Sequence, residues 1–269
     1  MRINNNVGAL NAWRNVYIND TALSKSMEKL SSGYRINRAA DDAAGLAISE
    51  KMRAQISGLN MAIKNAQDGI SLIQTAEGAL NETHAILRRM RDLAVQAANG
   101  IYTDEDRQKI QDEIDALIEE LDRIAETTQF NTLHLLDNTE TLTFHIGANA
   151  GENLEVALDD MRANALGVDN ISVEDETSAN DAITTIDNAL ETVSSFRSRL
   201  GAVQNRLEHT ISNLQVAAEN LTASESRIRD VDMALETTNF VKNQILVQAA
   251  TAMLAQANVR PQSVLQLLG

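Results

Sequence analysis

From Met52 onward, apolar side chains recur in alternating steps of four and three: Met52, Ile56, Leu59, Ile63, Ala66, Ile70 and Ile73. That spacing places them on one stripe of an α-helix, and a helix with such a stripe must bury it against another helix. The stripe resumes through Ile86, Met90, Leu93 and Ala97, then meets Asn99-Gly100, where glycine can take the left-handed conformation that ends a helix. About 50 helical residues would span roughly 75 Å, so the expected product is a rod rather than a globule.

Thr103 with Asp106 three residues on resembles a capping box. Ile110, Ile114, Leu117, Leu121 and Ile124 then repeat the four-three steps on a second, acidic helix. A third stripe runs through Ile186, Leu190, Val193, Leu200, Leu207, Leu214, Ala218 and Leu221, after a cap expected near Ser178 or Asp181. Between the second and third helices the period falls to two. Leu142, Phe144 and Ile146 alternate with polar neighbours, as do Leu154, Val156 and Leu158, and the Gly147–Asn153 segment between them reads as a hairpin turn. Ile171 to Asn180 reads as a polar connector. The fold class expected is mainly α: an elongated antiparallel helical bundle or coiled coil with a small β-hairpin region near 141–160.

The two ends are apolar but short of partners. Ile3, Val7 and Leu10, then Leu23, Met27 and Leu30, form a stripe broken at Ser32-Gly33; Ile228, Val231, Leu235, Val241, Ile245, Ala249 and Ala252 form another, followed by the cluster Val264, Leu265, Leu267 and Leu268. Pairing these ends with each other and with neighbouring copies would bury both stripes, which is a physical reason to expect assembly.

Charge excludes several partners. The chain carries −15 overall, and residues 101–180 hold 20 acidic against 4 basic side chains. Nucleic acids and anionic membranes reward basic surfaces, so neither is an expected partner. With no cysteine, there is no disulfide framework, zinc-thiolate centre or cysteine nucleophile. The start lacks the apolar run of a secretory signal, and no stretch of about 18 apolar residues suits membrane insertion. His84, His134, His145 and His209 lack metal-ligand spacing, and no phosphate-cradling glycine motif occurs. Neither an enzyme nor a cofactor is expected. Gly58, Gly69 and Gly78, inside the first long helix, read as points of close approach, at about 1 kcal/mol each against alanine.

The run Leu30-Ser-Ser-Gly33-Tyr-Arg-Ile-Asn-Arg-Ala-Ala40-Asp-Asp-Ala-Ala-Gly45-Leu-Ala-Ile-Ser49 resembles the N-terminal signature of bacterial flagellins, and Gln67 to Leu80 continues it. Leu200 to Leu207 and Glu225 to Ala234 are similar to the C-terminal half of that family. The likeness covers roughly the first 135 and last 85 residues. Departures are Trp13 and Tyr17 in place of smaller or aliphatic residues, Ala40 for a frequent glycine, and a final Gly269 where arginine is common. No large central insertion is present, so the chain resembles a short flagellin.

This resemblance implies a structural subunit that polymerises into the extracellular flagellar filament and supports swimming. It would be secreted, leaving the cell unfolded through the flagellar export channel. Residues 1–41 and 229–269 would form an inner, discontinuous domain, disordered in the free monomer; residues 42–228 would form an outer helical rod. The polymerisation seam would comprise Ile3, Val7, Leu10, Leu23, Met27, Leu30, Ile228, Val231, Leu235, Ile245, Val264, Leu267 and Leu268. Partners implied are other copies in a helical homopolymer, an export chaperone, and the hook-filament junction and filament cap proteins. A Toll-like innate receptor would contact Arg89, Leu93 and Glu113. The rival readings are a hook-filament junction protein, with similar ends, and a soluble coiled-coil scaffold.

Overall fold

The computed structural model describes residues 6–268, with side chains described through residue 259. Six helices and two small antiparallel hairpins follow one another: α1 (Val7–Ser32), α2 (Ala43–Ala97), α3 (Asp104–Thr127), β1 (Gln129–Phe130), β2 (Leu133–His134), β3 (Thr141–His145), β4 (Asn153–Ala157), α4 (Ala163–Leu166), α5 (Glu176–Arg229) and α6 (Met233–Leu268). Packing divides the chain into two compact units, Met1–Gln55 with Glu219–Gly269, and Ile56–Ala218. Helices α2 and α5 contribute to both.

In the Ile56–Ala218 unit, α2, α3 and α5 share one hydrophobic core with the hairpin β3–β4. The seam of α2 runs without a break through Leu59, Ala62, Ala66, Gly69, Ile73, Ala76, Leu80, Thr83, Leu87, Met90, Ala94 and Ala97, all buried, in strict three-four steps. This differs from the stripe read in the sequence. Ile63, Ile70 and Ile86 flank the seam half-buried, while the smaller Ala62, Gly69 and Thr83 occupy the innermost line. In α5 the seam is Ala179, Ala182, Ile186, Ala189, Val193, Phe196, Leu200 and Leu207. Here too alanines, and the single large Phe196, fill positions that a search for aliphatic bulk passes over. Surface ion pairs mark the register of the packed helices: Arg89 to Glu113 between α2 and α3, and Arg91 to Asp187 between α2 and α5.

The capping box at the start of α3 is formed, Thr103 accepting from the Asp106 N–H and Asp106 accepting from that of Thr103. Strands β3 and β4 pair in the register Thr141↔Ala157 to His145↔Asn153. The hairpin rests on α2 where that helix carries glycine: a Cβ on Gly69 would sit 3.2 Å from Phe144, and one on Gly58 would sit 3.1 Å from Ala148. Gly78 has open space at its Cβ position. Gly58 thus marks close approach of the hairpin, and Gly69 that of both the hairpin and α5, where Leu207 would lie 3.4 Å from an added Cβ.

The segment read as a polar connector is partly core. Ile171 and Val173 are buried, and the buried amide of Gln111 donates to Ile171 O at 2.9 Å and accepts from the Val173 N–H at 2.8 Å. One side chain on α3 thereby gives an irregular strand the hydrogen bonds a sheet partner would supply. The pair β1–β2, joined by Asn131-Thr132 at positive φ, and the single turn of α4, capped by Asp122 accepting from the Ala163 N–H at 2.7 Å, complete the unit.

Candidate assembly surface

Helices α1 and α6 pair with each other. The run is antiparallel, since Asn6 Nδ2 donates to Ala257 O at 2.9 Å at one end and Asn243 meets Ser26 at 3.5 Å towards the other. The residues turned inward on α1 are Ala9, Ala12, Val16, Asn19, Leu23, Ser26 and Leu30; on α6 they are Phe240, Asn243, Val247, Ala250, Leu254 and Ala257. Both sets follow three-four spacing. Small and polar side chains share this line with Val16, Leu23, Leu30, Phe240, Val247 and Leu254; the small ones let the backbones approach, and the amides and the hydroxyl lie where they fix register at some cost in stability.

Many large apolar groups are nonetheless left on the outside. Val7, Leu10, Tyr17, Ile18 and Met27 of α1, with Leu235, Val241, Ile245, Leu246, Met253 and Val259 of α6, are all exposed, Leu235 and Ile245 at 63% and 58%. Trp13 stacks on Tyr17, ring centroids 6.0 Å apart, and remains 58% exposed. A helix apolar on all sides has no single buried face in one chain. Exposed apolar side chains in this number, recurring along both helices, mark an interaction site.

Of the expected seam residues, Val7, Leu10, Met27, Leu235 and Ile245 lie on the outer surface, whereas Leu23 and Leu30 are half-buried in the α1–α6 pairing, and Ile228 and Val231 are half-buried beside the α5–α6 junction. Ile3 lies outside the described residues, as do the side chains of Val264, Leu267 and Leu268.

The signature run folds into a built junction at the base of this pair. Gly33, at φ 75°, caps α1 with its N–H on Lys29 O, a conformation glycine adopts without steric cost. Tyr34 then bridges Asp230 in a short antiparallel ladder: the Arg35 N–H donates to Arg229 O at 2.7 Å and the Val231 N–H to Gly33 O at 3.0 Å. Ile36 is buried at the centre. Asp41 accepts from the N–H groups of Arg38 and Asn37, the Arg38 bond first among the influences that hold its carboxyl below the ordinary aspartate value, with Lys25 and Lys29 adding to the effect. The Arg229 guanidinium lies 4.7 Å from the Tyr34 ring centroid and pairs with Glu50 at 2.8 Å, while Ser49 donates to Glu225 at 3.0 Å. The signature's polar residues close hydrogen bonds here. Glu50 was not singled out in the sequence, and Glu225 and Arg229 entered only as part of a family-like run, because their partners lie some 180 residues away along the chain.

The three residues ascribed to receptor contact lie together in the other unit. Arg89 Nε and Nη2 both donate to Glu113 Oε1, at 2.9 and 2.7 Å, on the surface. Leu93, one turn on, is only 3% exposed and belongs to the core. Among the described residues no cluster of His, Asp or Glu could hold a metal ion, and no helix is long and apolar enough to cross a membrane.

Comparison with known proteins gives a consistent result. Residues 3–141 match the bacterial flagellin N-terminal helical region and residues 183–268 the bacterial flagellin C-terminal helical region. A flagellin of Halalkalibacterium halodurans is 59% identical over 273 residues, with both chains fully covered. The flagellar filament 33 kDa core protein of Treponema phagedenis is 52% identical over 285 residues, again covering both chains. Among solved structures, a crystal structure of Bacillus cereus flagellin superposes with a TM-score of 0.52 at 32% identity, covering 60% of this chain and 94% of that one.

Proposed function

The chain belongs to the bacterial flagellin family and is a structural subunit of the flagellar filament, and from that premise we propose that the outer faces of α1 and α6 are the polymerisation seam. It is a structural protein and not an enzyme. The observation that carries the seam assignment is the number of large apolar side chains that the α1–α6 pair leaves exposed although its inner line is already filled. Such a pair is weakly held alone and gains most of its burial from neighbouring copies, so ordering and assembly are coupled.

Val7, Leu10, Met27, Leu235 and Ile245 are assigned to this contact, together with Ile3, Val264, Leu267 and Leu268. Leu23, Leu30, Ile228 and Val231 support it by holding the pair and its junction. In this reading residues 1–41 with 229–269 form the inner domain and 42–228 the outer one. The subunit is exported unfolded, shielded at its C-terminal apolar stretch by an export chaperone, and added to an extracellular filament between junction and cap proteins. Seeded polymerisation tests the seam: Leu10→Glu or Ile245→Glu should block elongation from seeds while the circular dichroism of the free chain stays helical. Normal elongation by both variants would remove these residues from the seam.

The Arg89–Glu113 pair supports a second, narrower reading. Its exposure makes it available to a Toll-like innate receptor, with Leu93 supporting the helix beneath. Arg89→Ala should lower receptor activation by the monomer at least about tenfold, without changing its urea midpoint. Unchanged activation would remove Arg89 from the contact.

A further inference from the structure

The turn that closes α2 contains the single Asn-Gly pair of the sequence, Asn99-Gly100. Both residues are exposed. The Asn99 backbone is held, its N–H donating to Gln96 O at 3.2 Å and its carbonyl accepting from the Tyr102 N–H at 3.3 Å. Its side-chain Oδ1 also accepts from the Ile101 N–H at 3.4 Å. The Gly100 N–H, in contrast, donates to no acceptor among the described residues.

We propose that Asn99 is a site of spontaneous deamidation and isoaspartate formation. The Gly100 nitrogen, giving its proton to a solvent base, attacks Cγ of Asn99. A C–N bond forms, the bond from Cγ to the side-chain nitrogen breaks, and ammonia leaves, so that a five-membered succinimide results. Water then adds to one of the two ring carbonyls and breaks its bond to the ring nitrogen. Opening at one carbonyl leaves an ordinary aspartate in place of Asn99; opening at the other passes the main chain through the former side chain and leaves isoaspartate. The net change is amide plus water to acid plus ammonia, with nothing oxidised or reduced.

Three features favour the attack. The nucleophilic nitrogen is engaged in no hydrogen bond, glycine presents no Cβ to hinder it, and the bond from Ile101 to Oδ1 draws electron density from Cγ. Within the long helices the geometry opposes it: Asn65, Asn188, Asn205 and Asn213 lie there, where the following N–H is committed to the helical ladder. The product has consequences for the fold. A new carboxylate appears at the C-terminal end of α2, where the helix dipole disfavours negative charge, close to the carboxylate of Glu176, whose Oε2 lies 4.0 Å from the Cβ position of Gly100. Long-lived copies thereby acquire a chemical mark that new copies lack, and isoaspartate is a substrate for carboxyl-methylating repair enzymes.

The test uses the full chain, incubated at mildly alkaline pH and digested with trypsin. The peptide 92–107 contains Asn99 as its only asparagine, so its conversion is read directly by mass and by methylation with an isoaspartyl methyltransferase and labelled S-adenosylmethionine. Asn99 should convert about tenfold or more faster than Asn188, and Gly100→Ala should slow it by a similar factor. The alanine Cβ would meet only Glu176 Oε2 at ordinary contact distance, so this variant retains the turn; Asn99→Gln, with the side chain one methylene longer, provides a second slowed variant. Conversion of Asn99 no faster than Asn188, or an unchanged rate in Gly100→Ala, would overturn the proposal.

Discussion

At the scale of single residues, the structure turns on a few polar side chains that substitute for missing backbone partners. Gln111 is the clearest. Its amide serves both Ile171 O and the Val173 N–H in a buried setting, so an apolar replacement leaves two main-chain groups without partners. Gln111→Leu should therefore destabilise the Ile56–Ala218 unit by about 2–6 kcal/mol, at about 1–3 kcal/mol for each orphaned group, read as a lowered urea midpoint with an unchanged slope. A loss below about 0.5 kcal/mol would mean that water replaces the amide. Nothing in the sequence distinguished Gln111 from the other polar residues of the acidic helix α3, because the need for it comes from a segment some 60 residues later.

At the scale of elements, the helices and the β3–β4 hairpin were legible because periodicity survives in one sequence: three-four steps for α2, α3 and α5, alternation for the hairpin. What was hidden was which line of each helix lies innermost. Ile63 and Ile70 attract attention by size, yet Ala62 and Gly69 take the seam, since a close-packed interface favours residues that let the backbones approach. The same substitution of bulk for proximity explains why the inner face of α1, with Ala9, Ala12, Asn19 and Ser26, was not read as a pairing surface. The short pair β1–β2 left little signal, its turn being Asn-Thr rather than the usual Asn-Gly.

The link between α1 and α2 carries a pH dependence of defined sign. The Asp41 carboxyl lies below its ordinary value of 3.8 in the folded chain, so its contribution is present above that value and is lost as the pH falls from there through the lower folded-state value. The amides of Asn37 and Arg38 should consequently lose protection from hydrogen exchange in that acid range, and Asp41→Asn should remove the dependence. An acid response unchanged by Asp41→Asn would place its origin elsewhere.

At the scale of the whole molecule, one chain contains two kinds of burial. The unit Ile56–Ala218 closes a large core of its own. In the other unit, α1 and α6 meet through a narrow line of small, polar and half-buried apolar side chains and leave Leu10, Tyr17, Leu235, Ile245 and their neighbours in water. That division is what a filament subunit requires: one part folded on its own account, another completed by the next copy.

Because the chain has no cysteine, a single introduced thiol reports its own surroundings without interference. Ile245→Cys should react rapidly with a maleimide in the monomer and at least about tenfold more slowly after assembly into filaments. Equal labelling rates in monomer and filament would show that the outer face of α6 stays in solvent, and would contradict the account.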